Sequence, residues 1–410
     1  VIPLLALLGA AWANGQTTHI WITHAATEAL PEGELRDLLT DEALAPMLVH
    51  GTMFPDGGYA VGHPYGEIAH WEPLQIAYLE WIRATYAPPW TDEARAHIAF
   101  LMGLASHGMA DQTHDALYLD WSRRYDADAG WAHDGSLDEA TDFVWSSLTG
   151  PATVPERWVP QAALMPLFDE LDVGVDAETL DRAQGMLELA VGLVGIGGQN
   201  EALVAEYAAE FPWGCSHLED PAQPGTPSFE ATAVAAYWQD LYAQLHGEAG
   251  PQHLLTAWPP DGGYKPVTAA SALESRVALV LARGAPTGEP AADLVTVTDA
   301  AGRAYPVDLS LYYGQNSHVL LVVPQEDWAA DQDFTLTLRA ATPGRDGTAT
   351  PADTTLTFTT RAPVEDEAEA APLPATSKGC ATPAGPPLIE AAALLALLSR
   401  RRRPSPAPPR

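Results

Sequence analysis

The run His107-x-x-x-Asp111-x-x-His114 brings two imidazoles and a carboxylate into eight consecutive residues. On an α-helix, at about 100° per residue, positions i, i+4 and i+7 fall within about 60° of one another. The three groups then share one face, and imidazole with carboxylate is a donor set that suits zinc. A polar stripe on a solvated face is the alternative. Leu101, Leu104, Ala105 and Met109 are interleaved with the motif, which makes the helix a packed one. There a buried charge without a partner is costly, and a cation would be that partner. Histidine is also unevenly spread. Of 13 in the chain, His19, His24, His50, His63, His70, His97, His107, His114 and His133 fall in its first third. His19 sits in TTHIWITHAATEAL, Asp56 in the turn-like GTMFPDGGY and His70 in EIAHWEP. His133 precedes SLDEATDF, where Ser136 and Glu139 have the spacing of a capping box.

The elements that must carry these residues read as helices from residue 15 to about 250. AHIAFLMGLASHGMADQTHDALYLDWSRR keeps apolar residues at helical spacing over a long run. DAETLDRAQGMLELAVGLVG opens on an Asp cap and ends in Gly, and SFEATAVAAYWQDLYAQLHG offers Ser228 as a cap. After about residue 262 the texture changes. SRVALVLARG, DLVTVTDAAG, HVLLVVP, DFTLTLRA and TTLTFTT are short β-rich runs between Gly, Pro and Asp clusters. Val295 and Val297 alternate with Thr296 and Thr298, as Phe334, Leu336 and Leu338 do with Thr335 and Thr337. The expected architecture is multidomain. An all-α domain over 14–262 precedes a small all-β, antiparallel Ig-like sandwich over 263–361, which reads as a spacer or adhesion module.

The 410 residues exceed what one core usually absorbs. A formal net charge of -34 argues against a nucleic-acid partner, whose phosphates call for Lys and Arg. It does not exclude a phosphate substrate, because bound metal would supply the local positive charge. Cys215 and Cys380 are the two cysteines, too few for a disulfide framework or a Cys-based zinc site. Cys215 and His217 form a Cys-x-His pair that reads as a structural loop.

Both ends read as addresses. VIPLLALLGAAWA, residues 1–13, is apolar with small residues around Trp12, as in a secretory signal peptide. Residues 362–378 form an acidic, Ala/Pro-rich linker. Residues 379–410 hold Gly379-Cys380, an apolar stretch and Arg400 to Arg403, and resemble the C-terminal sorting tags of myxobacteria. The expectation is export to the outer-membrane surface or the exterior of a Gram-negative cell.

In their order, THIWITHAA, GTMFPDGGY, GHPYGEIAHWEP, YAPPW and FLMGLASHGMADQTHDAL resemble the zinc-dependent phospholipase C family. The likeness is greatest to the catalytic domain of glycosylphosphatidylinositol-specific phospholipases D and covers roughly residues 14–145. It implies a cluster of up to three zinc ions. Asp56, His70, His107 and Asp111 would hold one. Asp111 would bridge to a second, bound by His19 and the free N-terminus at Asn14. His114, His133 and Glu139 would hold the third, with Asp138 a competitor for Glu139 and Asp134 for His133. Asp56 and Asp111 would be catalytic, and His24 and His63 are candidate substrate contacts. His114 follows Asp111 more closely than the family pattern has it.

The implied reaction is hydrolysis of a phospholipid or lipid anchor by a metal-activated water. Membrane contact would come through the substrate and the C-terminal segment. No G-x-S-x-G motif demands a side-chain nucleophile. Two other readings stand beside it. One is a single-strand-specific zinc nuclease, although the Gly-Gly-Asn stretch usual there is missing. The other is a non-catalytic, metal-stabilised surface module.

Overall fold

The computed structural model describes residues 14–126, 133–250, 253–267, 269–270, 272–285, 290–312, 317–340, 344 and 352–361, with side chains in the second stretch from residue 137. These residues lie in one of the two compact units of the chain, Val1–Pro363. The leader, the linker and the tail segment lie outside the described residues, as does the side chain of His133.

The first half is helical: α1 (Gln16–Ala29), α2 (Glu34–Leu39), α3 (Ala45–Met53), α4 (Asp56–Val61), α5 (Tyr65–Ala69), α6 (Glu72–Thr85) and α7 (Asp92–Thr113). A π-helical segment, His114–Leu119, carries α7 directly into α8 (Asp120–Tyr125). Then come α9 (His133–Thr149), α10 (Gln161–Glu170), α11 (Ala177–Gly197), α12 (Glu201–Glu210), α13 (Pro212–Ser216) and α14 (Pro227–Leu245). Thr91 caps α7 by accepting the Ala94 N–H at 3.2 Å, and Asp92 and Glu93 in its first turn favour the helix dipole. Asp176 caps α11, accepting from Thr179 N at 2.7 Å. Ser228 is not a cap: α14 starts at Pro227, so its N-cap is Thr226. Nor does α9 begin near Ser136. It already runs from His133, which puts Glu139 inside the helix.

α7 is the axis of the core. From Ala96 to Thr113 every residue is buried. α3 crosses it at backbone contact: a Cβ on Gly51 would lie 2.3 Å from the Phe100 carbonyl oxygen, and one on Gly103 2.2 Å from that of Leu48. Only glycine permits that approach, and it brings the α3 backbone within reach of His107. α14 packs on the same axis. Its Trp238 is fully buried, with the indole N–H donating to Met102 O at 2.6 Å. Rings such as Phe54 and Phe100 in this core contribute about 2–3 kcal/mol each.

Among the described residues nine strands follow: β1 (Leu254–Trp258), β2 (Gly263–Pro266), β3 (Val277–Leu281), β4 (Val295–Asp299), β5 (Ala304–Tyr305), β6 (Val307–Leu311), β7 (Val319–Pro324), β8 (Asp333–Leu338) and β9 (Thr354–Arg361). They form two sheets, ordered β1-β3-β7-β6 and β2-β9-β8-β4-β5. β1 lies ahead of residue 263, where the change of texture is read in the sequence, yet it pairs with β3 and belongs to the first sheet. The pairing is antiparallel except for β2 and β9, which run parallel. The alternation in β4 and β8 turns Val295, Val297, Phe334, Leu336 and Leu338 into the core between the sheets.

β3 and β7 are apolar on both faces. Val277, Leu279, Leu281, Leu320 and Val322 join that inter-sheet core. Ala278, Val280, Val319 and Leu321 join the helical core instead. Helices, first sheet and second sheet are thus three layers in succession, and the β part is no free-standing spacer. Buried contacts cross the junction. His318 N–H donates to Gln112 Oε1 at 3.2 Å, and the His318 ring meets Tyr237 edge-on at 5.2 Å.

Candidate metal centre

Five side chains from four segments meet beside α7: His19 from α1, Asp56 at the start of α4, His70 just after α5, and His107 and Asp111 from α7. His70 Nδ1 lies 2.5 Å from Gly66 O, and His107 Nδ1 lies 2.7 Å from Thr52 O. A carbonyl only accepts, so both rings carry their proton on Nδ1 and turn an Nε2 lone pair inward. The two Nε2 atoms are 3.1 Å apart. Asp56 Oδ1 is 3.2 Å from His70 Nε2 and 3.8 Å from His107 Nε2. Asp111 spans the group. Its Oδ2 is 3.4 Å from His70 Nε2 and 3.3 Å from His107 Nε2, while its Oδ1 is 3.0 Å from His19 Nε2. The His19 ring stacks on His107 at 3.8 Å.

With the ring protons held elsewhere, these are acceptors facing acceptors. Two overlapping sets, His19–His107–Asp111 and Asp56–His70–His107, can each hold a metal ion, and all five residues are buried. The donor set fits zinc in type.

Without a cation, protons must fill the gap. Burial would lower His70, but the Asp56 hydrogen bond and the Asp111 charge outweigh it and lift the pKa to about 9. Burial and the neighbouring His19 lower His107. Burial opposes ionisation of Asp111, but His107 and His19 hold it well below the usual carboxylate range.

The support beneath is specific. α1 has Gly15 at its N-cap and no cap of its own. Asp142 from α9 supplies one: its carboxylate accepts from Thr18 N and Thr18 Oγ1, each at 2.8 Å, from Thr17 N at 3.3 Å and from Thr17 Oγ1. Gln16 Nε2 donates to Asp56 Oδ2, which leaves Oδ1 for the histidines. Thr23 Oγ1 lies 2.8 Å from both Thr52 Oγ1 and Ser106 Oγ, tying α1, α3 and α7 together below the rings.

His114 is not part of this group. It lies at the start of the π-helical segment, where its ring faces α9 and α14. Its Nε2 is 3.7 Å from Asp138 Oδ1 and its Nδ1 3.4 Å from Glu230 Oε1. Burial pushes His114 down to about 4 and Glu230 well above the carboxylate range. Glu139 points elsewhere, accepting from Tyr207 OH at 2.6 Å. On a helix, neighbours sit about 100° apart, so when Asp138 faces inward Glu139 cannot. Asn14 is buried and donates from Nδ2 to Glu230 Oε2 at 3.0 Å. His24 is exposed on α1. His63 accepts the Tyr65 N–H at 3.2 Å at the start of α5, a local turn role. Cys215 is buried, its Sγ 3.8 Å from Tyr207 O, while His217 Nδ1 turns to Trp213 O at 2.8 Å, so that pair converges on nothing.

Sequence reasoning missed Gln16, Asp142 and Glu230. Each is a polar residue on an otherwise buried stretch of helix, and for Glu230 the surrounding FEATAVAAYW was a usable signal.

The chain matches no family model. It is 30% identical over 176 residues to the mouse phosphatidylinositol-glycan-specific phospholipase D, covering 38% of this chain and 20% of that protein. The human protein of the same name is 33% identical over 131 residues, 28% of this chain and 15% of that one. The Dictyostelium discoideum protein is 29% identical over 186 residues, 42% and 19% respectively. The chain therefore spans about a fifth or less of these relatives' length. Among solved structures, surface layer protein SbsC, domains 1-6, covers 81% of this chain and 46% of its own, at a TM-score of 0.22 and 9% identity, which carries no argument. The likeness to the phospholipases is distant and partial.

Proposed function

We propose that the chain is a zinc-dependent phosphodiesterase acting on phospholipids or phosphoinositide-linked anchors. The observation that carries this reading is Asp111, whose two oxygens face different histidines at once. The named activity of the distant relatives supports the substrate class.

When bound, zinc would activate a water near neutral pH and stabilise charge building on the phosphate. The chain's own residues do the rest. Gly66 O and Thr52 O keep His70 and His107 in the tautomer that can ligate. Gln16 holds Asp56 with one oxygen turned inward, where it can also accept a proton from the attacking water. The buried walls keep the dielectric low, so each of these charges acts at greater strength. Export and action at a lipid surface complete the proposal. Among the described residues no helix is long and apolar enough to cross a membrane.

The test is turnover of phosphatidylinositol, phosphatidylcholine and single-stranded DNA by the zinc-loaded full chain, with products identified. Release of phosphatidic acid or diacylglycerol is expected and shows which side of the phosphorus is cut. A zinc-loaded chain that leaves both lipids intact and degrades the DNA overturns the reading.

Zinc uptake carries a pH signature. The unloaded His70 holds its proton up to about pH 9, so an ion must displace it. Affinity should rise as pH climbs from 6 toward 9, with proton release at pH 7. Calorimetry in buffers of different ionisation enthalpy reads that release, and heats identical in all buffers would contradict it.

A further inference from the structure

The backbone of His70 lies directly on α7. A Cβ on Gly108 would stand 2.3 Å from His70 O and 2.6 Å from Gln75 Nε2, so α6 enters against the turn between His107 and Asp111. Gln112, next to Asp111, donates from Nε2 to Gly108 O at 3.2 Å and accepts the His318 N–H with its oxygen. His318 stands just before β7 and is seated by the sheet. Its Nδ1 lies 2.7 Å from Leu281 O at the end of β3, and its Nε2 faces Glu72 Oε2 at 3.8 Å. Glu72 opens α6, two residues after His70. A Cβ on Gly284 would meet Ser317 Oγ at 2.0 Å and Glu72 Oε2 at 2.9 Å, so sheet and helix close over that glycine. The junction therefore touches both segments that carry His70 and Asp111.

This part of the junction is costly. Glu72, Gln75 and Ser317 are buried, and Glu72 Oε2, Gln75 Nε2 and Ser317 Oγ have no hydrogen-bond partner. Elsewhere the first sheet meets the helices through Val280, Val319 and Leu321. Polar groups kept against that alternative point to a role other than stability.

We propose that His318 is a positioning residue of the metal centre. Seated by the first sheet, it holds Glu72 and Gln112, and through them the entry of α6 and the turn of α7 that set His70 against Asp111. Metal loading and docking of the sheet are then linked, each tightening the other by the same factor. The inference rests on reading His70, His107 and Asp111 as metal ligands.

The test measures zinc affinity by competition with a chelating dye, and Tm in chelator, for the full chain and for His318→Ala, His318→Gln and Leu336→Ala. Leu336 packs between the two sheets, so its truncation lowers Tm without reaching Glu72 or Gln112. His318→Ala should weaken zinc binding about tenfold, and His318→Gln, which puts a polar group back, should recover part of that. Leu336→Ala should stay within about twofold. In the unmodified chain, zinc should slow backbone hydrogen exchange across residues 277–285 more than across 354–361, a readout that needs no variant to fold. Zinc affinity that follows Tm across all variants makes His318 merely structural and overturns the proposal. Equal affinity in the parent and His318→Ala, or equal slowing of the two segments, overturns it and spares the metal centre. A parent that takes up no zinc overturns both.

Discussion

Asp111→Asn should cut lipid hydrolysis by roughly a thousandfold, about 4 kcal/mol at the transition state, with the helical content unchanged. The substitution is nearly isosteric, so packing on α7 is preserved. What it removes is a charge whose two oxygens serve two sides, His19 on one and His70 with His107 on the other. The new amide must turn its N–H groups toward one of those sides, against the ion. Zinc bound per chain should fall with activity, and circular dichroism should confirm the fold. Glu139→Gln is the matched control, since that carboxylate faces Tyr207, and it should stay within about twofold of the parent, the usual range of a surface change. A tenth or more of parental activity in Asp111→Asn would dispose of the bridging role.

Asp142→Ala should be the most destabilising single change near the site, by roughly 3 kcal/mol in urea unfolding. Among the described residues its carboxylate is the side-chain cap of α1, and it accepts from two buried backbone N–H groups and two buried hydroxyls. Asp142→Asn keeps one acceptor oxygen and should cost less than half as much. Because α1 carries Gln16 and His19, Asp142→Ala should also weaken zinc retention. A loss under about 0.5 kcal/mol would mean that water or another residue caps α1 instead.

The helical half was legible because its apolar periodicity is strong, and His19, Asp56, His70, His107 and Asp111 do meet. The ordered motifs named them. His114 stands apart from them, beside Asp138 and Glu230. Those neighbours are distant in sequence, so spacing along one helix does not show them. Glu139 against Asp138 is the same difficulty at one-residue resolution. The runs now seen as β3, β4, β7, β8 and β9 were readable as strands. β1, β2, β5 and β6 were not, being short or lacking alternation. Glu230 stands out in the sequence only as an acid in an apolar run, and its neighbours at positions 14 and 114 become visible only in three dimensions.

The double-faced sheet has a meaning for inheritance. β3 and β7 hand alternate side chains to two different cores, so a gene cut at the helix-to-strand boundary would yield two fragments that each expose an apolar wall. Such fragments are prone to aggregate. Recombination that shuffles detachable modules along a chain would therefore be selected against at this joint. Insertions at the outer edges, at β5 or β6, would be tolerated far more readily. Residues 14–361 should descend as one hereditary block, and a chimera that swaps the β part alone would need β3 and β7 from the original parent.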